Sequence, residues 1–352
     1  MNSTIIIPTY DEAENIPELV RRIRASVDSV KILVMDDSPD CKTADAAWQA
    51  GCGVIRRTRN KGLAQSVIEG IGYEKGTDYI IVMDGDCQHP PETLPRIINA
   101  LDKHDFVVAS RYIRGGGCKD WGLGRKVISK VANWLAMPLM KFEVKDLMSG
   151  FVGFRTAGLP DLDEIKPKGF KIVTEILVRG DWHSIVEVPY IFEARKRGKS
   201  KLNSKQITAY MKQLVQLYLY KFRWIKFGIV GLTGSAVQFP VLYCLTEFAH
   251  VPYLASATVS TFFAATSNYL LNHIWTFDDR QKEHNLFRGW VKYLMMAGVT
   301  FPAYLGLLAL LTEVVGLWYM LSMAITIVIM FVINYKVSGV WIWTKQKIEQ
   351  IS

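Results

Sequence analysis

The sequence predicts an α/β domain built on a mainly parallel sheet, followed by a domain of four membrane-spanning helices, and three observations carry that reading. Short β-branched runs alternate with helix-length amphipathic stretches through the first 110 residues. Four long stretches of the C-terminal part contain no Asp, Glu, Lys or Arg. The charges divide accordingly: residues 1–225 hold 61 of the 75 acidic and basic side chains, residues 226–352 only 14. With 50% of its 352 residues apolar, the chain can fill two folded regions, which excludes a disordered tail or a disulfide-stapled mini-domain.

In chain order, strands are expected over 4–7, 32–35, 54–57, 80–83 and 106–109, and helices over 17–26, 44–50, 63–73 and 92–103. Strands separated by helix-length crossovers imply parallel pairing with helices on both faces. Two apolar stripes follow. One includes Val127, Ile128, Val131, Trp134 and Leu135 and is interrupted at Pro138; the other includes Ile207, Tyr210, Met211, Leu214 and Leu217, with lysines interleaved. Each suits either core packing or a helix lying in a membrane interface. The charge-free stretches 227–246, 248–277, 293–312 and 314–335 mark helices at about 227–247, 252–277, 292–312 and 314–342. Each can cross a ~30 Å hydrocarbon core at ~1.5 Å per residue. The expected division is a soluble domain over 1–200, an interfacial helix and linker over 201–225, and a membrane domain over 226–352.

Orientation follows from the connections. Lys221, Arg223 and Lys226 precede the first span, Arg280, Lys282, Arg288 and Lys292 lie between the second and third, and Lys345 and Lys347 follow the last. The other two connections contain no Lys or Arg, so the positive-inside rule places both termini and the soluble domain on the cytoplasmic side. The first residues offer an apolar run too short for a signal-peptide core. Five scattered cysteines without a CxxC pair fit a reducing compartment and argue against structural zinc.

Polar residues stand at several strand ends, where open α/β sheets bind ligands: Pro8 to Glu12, Asp36-Asp37, Asp84-Gly85-Asp86 and Ser110-Arg111. There is no GxGxxG after the first strand and no GxxxxGK[ST], which argues against a dinucleotide dehydrogenase and a P-loop NTPase. Asp84 and Asp86 are the sharpest feature. Two carboxylates flanking a glycine at the end of an apolar strand can hold Mg²⁺ or Mn²⁺ and leave positions open for phosphate oxygens, with Gln88 adding a neutral oxygen. A bare DxD also recurs as turn or cap carboxylates, and only the strand-end position and the acidic pair at the second strand favour the metal. Cys87 and His89 read as loop filler, with no partner at ligand spacing.

Eight stretches in family order carry a resemblance, among them IIIPTYDEAENI at 5–16, VMDDSPD at 34–40, DGDCQHPPE at 84–92, ASRYIRGGG at 109–117 and DLMSGFVGFR at 146–155. With NKGLAQSVIEG at 60–70, GRKVISKVANWL at 124–135 and ARKRGKSKL at 194–202, the chain resembles glycosyltransferase family 2, specifically the polyprenyl-phosphate (dolichol-phosphate) mannose synthases with a GtrA-like membrane domain. The resemblance implies a GT-A (Rossmann-like) fold and inverting transfer of mannose from GDP-mannose to dolichyl or polyprenyl phosphate. It implies a divalent metal, Mg²⁺ or Mn²⁺, and a bilayer partner, with no nucleic acid. Transfer of glucose from UDP-glucose to the same kind of lipid is the alternative; a transporter that senses nucleotide sugar is the rival from another class, weakened by spans without buried charges.

Carried over residue by residue, Pro8, Tyr10, Glu12 and Asp36 resemble nucleoside contacts, and Asp84, Asp86 and Gln88 the metal and diphosphate site. Arg111 and Arg125, with Ser129, resemble the groups facing the acceptor phosphate, and Asp86, Arg111 and Arg125 are the expected catalytic set. Near 195 the match is partial: Arg195, Ser200 and Lys201 fit, while Arg197 and Lys199 are extra cations. That basic segment suits a loop closing over a diphosphate, with Arg195, Arg197 and Lys201 as donor contacts, or equally a solvated face or an anionic-lipid contact. A lipid phosphate is already an anionic nucleophile, so no general base is required; Asp146 is open as a base for a hydroxyl acceptor, a sugar contact or a structural residue.

Overall fold

The computed structural model describes residues 2–119, 121–165, 171–194, 204–283 and 285–344. The chain divides into two compact units, 1–221 and 222–352.

The first unit opens with β1 (Ser3–Thr9), α1 (Ile16–Ser26), β2 (Lys31–Asp36), α2 (Lys42–Gln49), β3 (Gly53–Arg56), α3 (Leu63–Tyr73), β4 (Tyr79–Val82), α4 (Leu94–Leu101) and β5 (Phe106–Ser110). Helix α1 shows the logic of the crossovers: Pro17 sits in its first turn, and Ile16, Leu19, Val20 and Ile23 form one buried face against the sheet. Strands β4 and β5 are buried at every position, as expected where helices cover both faces.

The rest of the unit comprises β6 (Gly117–Cys118), α5 (Leu123–Ala136), β7 (Val152–Arg155), α6 (Ile172–Arg179), β8 (Ile185–Pro189), β9 (Ile191–Phe192) and α7 (Ser204–Lys221). The seven-stranded sheet runs in the order β3-β2-β1-β4-β7-β5-β8. One strand departs from the parallel expectation: β7 enters between β4 and β5 and runs antiparallel to both, pairing Val82 with Val152 and Val108 with Val152. Gly153 fits there because a Cβ would lie 2.6 Å from Ile97 Cγ2 of α4. The chain travels outward from β1 through β2 to β3 and returns to β4 on the other side, so β1 and β4 flank a switch point. The carboxyl ends of both strands open there.

Helix α7 belongs to this unit. Tyr210, Leu214 and Leu217 are buried, the Tyr210 hydroxyl donates to the Ala132 carbonyl of α5 at 2.9 Å, and Tyr218 donates to the Leu135 carbonyl at 2.8 Å. One side of the stripe is therefore core packing. Its other residues, Ile207, Met211 and Val215, stay exposed, as do Leu123, Val127, Val131 and Trp134 of α5.

The second unit consists of α8 (Arg223–Tyr243), α9 (Tyr253–Leu271), α10 (Leu286–Ala309) and α11 (Tyr319–Val337), each continued by one wider π-helical turn. Among the described residues, three helices with their terminal turns are long and apolar enough to cross a membrane: 223–248, 286–314 and 319–342. Helix α9 occupies the expected second span, but Ser256, Ser260, Thr266 and Asn268 reduce its apolar character. At one end of this unit cations meet helix carbonyls and indoles: Lys226 donates to the Trp275 carbonyl at 3.0 Å, and Lys292 to that of Trp341 at 3.2 Å.

Candidate active site

The loop after β4 is a constrained turn. Gly85 lies so close to β1 that a Cβ would stand 3.0 Å from Thr9 Cγ2, and Cys87 is buried in left-handed backbone at φ 61°. Asp86 Oδ1 accepts the Gln88 N–H at 3.1 Å. Gln88 is pinned to the chain after β9: its side-chain amide donates to the Glu193 carbonyl at 3.0 Å, and the Glu193 N–H donates to the Gln88 carbonyl at 3.0 Å. The amide nitrogen is thus occupied, which leaves the Gln88 side-chain oxygen as the end available to a cation.

His89 corrects the reading of loop filler. Its ring is 1% exposed and stacks on Phe151 at 5.1 Å. Nδ1 accepts the backbone N–H of Asp84 at 3.0 Å, and Nε2 stands 3.8 Å from Asp84 Oδ2. Burial pushes its pKa down to about 4, so the imidazole is neutral and its proton lies on the side of the Asp84 carboxylate. Gly150 completes the surround, with a Cβ position 3.6 Å from Asp84 Oδ2. Among the described residues no group of three His, Cys, Asp or Glu gathers for a metal. The set present is two carboxylates and an amide oxygen, which fits a hard divalent cation that completes its shell with phosphate oxygens.

At the ends of β1 and β2, Asp36 is fully buried, with Oδ1 accepting from the Ser38 hydroxyl at 2.6 Å and from Thr9 Oγ1 at 3.1 Å. Its other oxygen is buried without a hydrogen-bond partner. The Glu12 carboxylate accepts from Asn15 at 2.6 Å, and Tyr10 is half exposed. Asp37, read in the sequence only as the second carboxylate of a strand-end pair, forms a node beside them. Asp37 binds Arg57 at 2.7 Å and the Gly62 N–H at 2.7 Å, tying the loop before α3 to β2.

A cavity of about 490 Å³ joins much of the expected site: Pro8, Asp84, Asp86, Gln88, Arg111, Arg125 and Ser129 all line it. Tyr10, Glu12 and Asp36 do not. Arg195, Arg197, Ser200 and Lys201 lie outside the described residues.

Arg111 differs from the open fork expected for an acceptor arginine. Nε and Nη2 donate to Asp146 Oδ2 and Oδ1 at 2.8 and 2.7 Å, and the Arg111 backbone N–H also donates to Oδ2 at 2.9 Å. Burial alone would lower the guanidinium pKa; the doubly bonded Asp146 carboxylate outweighs it and holds the group above its ordinary value. Asp146 is fully buried, and both of its oxygens accept from Arg111. Arg125, in the first turn of α5, places Cζ 4.2 Å from the Trp121 ring centroid, and Arg111 Cζ stands 5.0 Å from the same centroid. Ser129, one turn further along α5, accepts the Tyr112 hydroxyl at 2.8 Å.

A third cation on the wall was not singled out in the sequence. Lys171 Nζ donates to the Met148 carbonyl at 2.7 Å, and burial, reinforced by Arg111, pushes its pKa down to about 8. The wall also has an apolar part, to which Val127, Ile128 and Val131 of α5 and Ile207, Tyr210 and Met211 of α7 contribute. One cavity is thus lined by carboxylates, cations and hydrocarbon.

Residues 4–162 match Glycosyl transferase family 2, and residues 226–343 match the GtrA/DPMS transmembrane domain. The chain is similar to the dolichol-phosphate mannosyltransferase of Pyrococcus furiosus, at 35% identity over 97% of this chain and 99% of that protein. It is 38% identical to the dolichol-phosphate mannosyltransferase of Saccharomyces cerevisiae over 62% of this chain and 88% of that protein. The undecaprenyl-phosphate mannosyltransferase of Micrococcus luteus is 34% identical over 58% of this chain and 88% of its own length.

Proposed function

The chain belongs to glycosyl transferase family 2, in the branch that carries a GtrA/DPMS transmembrane domain, and on that premise we propose that it transfers mannose from GDP-mannose to dolichyl or another polyprenyl phosphate, with inversion. The observation that carries the reading is one cavity lined together by the carboxylates of Asp84 and Asp86, by Arg111, Arg125 and Lys171, and by apolar residues of α5 and α7. A nucleotide diphosphate, a phosphate monoester and an isoprenoid chain are the three chemistries these regions would accommodate in that order.

In this reading an oxygen of the acceptor phosphate attacks the anomeric carbon, the bond from that carbon to the diphosphate oxygen breaks, and the electron pair leaves with GDP. One displacement inverts the configuration. The nucleophile is already anionic, so no base is called for. Asp146 is poorly suited to be one, because both of its oxygens are engaged by Arg111. Asp84 and Asp86, with Gln88, would hold Mg²⁺ or Mn²⁺, which supplies Lewis-acid charge against the leaving diphosphate. Neutral His89 keeps Asp84 oriented without adding positive charge that would compete with the ion. Pro8, Tyr10, Glu12 and Asp36 remain the nucleoside candidates, and Arg195, Arg197 and Lys201 those for the diphosphate. The exposed Leu123, Val127, Val131 and Trp134 would rest α5 against the headgroup region, because a polyprenyl tail is costly to bring into water. By loop charge, the catalytic unit and both termini would face the cytoplasm.

The test is transfer in nanodiscs with radiolabelled GDP-mannose, UDP-glucose and polyprenyl phosphate, followed by lipid extraction. Mannolipid formed only with GDP-mannose and abolished by chelator is the expected result; glucolipid as the main product would overturn the donor assignment, and no glycolipid from either donor would overturn the function.

A further inference from the structure

We propose that Trp121 is a positioning residue for the acceptor phosphate: its indole face aligns the Arg125 guanidinium and holds Arg111 against the same ring, so that both cations stay together on the cavity wall. This rests on the transfer reaction proposed above and acts within it through Arg125. Neither arginine need lack other partners for it to hold.

Two guanidiniums on one wall repel each other, and the repulsion grows where water is scarce. The negative face of an aromatic ring attracts each of them, most strongly when the ring is an indole. Trp121 meets both: Arg125 Cζ stands 4.2 Å and Arg111 Cζ 5.0 Å from its ring centroid, and all three residues line the cavity. The two arginines differ in what else orients them. Arg111 is already fixed by its two-point bond to Asp146, so the ring adds little to its direction. Arg125 projects from the first turn of α5 between Gly124 and Lys126, both exposed. A long side chain there has many conformations to lose, and a ring beneath it confines the planar fork to the narrow set of orientations that two-point recognition of a phosphate needs.

The indole is itself anchored. It meets Phe192 of β9 edge to face, with centroids 5.5 Å apart and planes at 71°. Phe192 is buried and meets His89 in the same way, at 5.7 Å and 73°. The ribbon of β6 and β9 holds the chain that leads to Trp121: Cys118 pairs with Phe192, and the Lys119 N–H donates to the Phe192 carbonyl at 2.9 Å. Three rings in contact thus run from His89, which holds Asp84, to Trp121, against which Arg125 lies. Packed rings yield little, so the spacing between the carboxylate loop and the acceptor cation is set by side chains in contact and not by the loops alone.

The full-length protein in nanodiscs tests the assignment, with mono-, di- and tetrafluorinated tryptophan placed at position 121 alone by codon suppression. Fluorination drains the negative face of the indole while nearly preserving its shape, so a packing role is insensitive to it and an attraction for cations is not. The KM for polyprenyl phosphate should rise stepwise with fluorine content, to roughly 3- to 30-fold for the tetrafluorinated ring, while GDP affinity measured calorimetrically with Mn²⁺ stays within about twofold of wild type. Trp121→Phe should fall between wild type and Trp121→Leu, because a benzene face keeps part of the attraction. An acceptor KM that does not follow fluorine content would overturn the proposal, as would a loss confined to GDP affinity. If Trp121→Leu does not fold, the fluorinated series decides alone. A wild type that forms no glycolipid refutes the underlying reaction instead, so the two failures are distinguishable.

Discussion

Replacing Asp146 by Asn should be among the most damaging single changes in the catalytic unit, although the two side chains are nearly the same size. The carboxylate is fully buried, the Arg111 side chain is 6% exposed, and three donors converge on the two oxygens at 2.7 to 2.9 Å. Asn keeps an oxygen for the Arg111 backbone N–H but removes the charge, leaving a buried guanidinium uncompensated. Breaking such a pair from one side costs about 3–5 kcal/mol. For a unit of this size each kcal/mol shifts Tm by about 2–4 °C, so a drop of roughly 6–20 °C follows. The double variant Arg111→Met with Asp146→Asn removes both charges and should lie well above the single variant in stability, although its acceptor kinetics would stay impaired. The assay is urea unfolding of the full chain in nanodiscs, with hydrogen exchange of the β5 and β7 peptides reporting on the catalytic unit alone. A cost below about 1 kcal/mol for Asp146→Asn, or a double variant as unstable as the sum of the two singles, would refute the description of Arg111 as half structural.

Other outcomes follow from the same geometry. Asp86→Ala should abolish Mn²⁺-assisted GDP binding in calorimetry while leaving the unfolding midpoint near wild type; metal-assisted binding that survives would remove the residue from the ion site. His89→Phe preserves the ring stack on Phe151 but deletes both nitrogens, and should raise the Mn²⁺ concentration for half-maximal GDP binding about 10- to 100-fold. Trp134→Asp, at a position 69% exposed, should change stability by no more than about 0.5 kcal/mol yet slow transfer to a bilayer-embedded acceptor more than to a short-chain one. Cysteines placed singly at Gln281 and Val251 of a cysteine-free chain should label from opposite sides of sealed vesicles; labelling from one side would remove a span between them.

The first five strands were legible because β-branched runs and amphipathic helices alternate there, and their ends fall within one or two residues of expectation. Strand β7 was not. A strand buried on both faces is a plain apolar run, and Phe151 to Phe154 contains nothing that distinguishes antiparallel insertion between β4 and β5 from parallel addition at an edge. The clustering of Asp84, Asp86 and Gln88 with Arg111 and Arg125 around one cavity could be anticipated from strand-end placement and the resemblance. What those residues bond to could not. Asp146 meets Arg111 across 35 positions, and Lys171 reaches Met148 across 23, with no periodic signal joining them. His89 was read as filler for another reason: its partner is a backbone N–H, which leaves no mark in side-chain spacing.

The antiparallel strand also sets a timetable for making the molecule. Until residues 152–155 have been synthesised, β4 has no neighbour on the side facing β7, and the Asp84 loop hangs from an open edge able to pair with another nascent chain. The sheet is complete once β8 ends at Pro189, and roughly 34 residues then remain before the first membrane helix begins at Arg223. At about 5–20 residues per second that interval lasts about 1.7–7 s, longer than the sub-second folding typical of small mixed α/β domains. The soluble half can therefore close its sheet before the ribosome delivers any segment to the bilayer, and the two halves need not compete for the same hydrophobic partners during biogenesis.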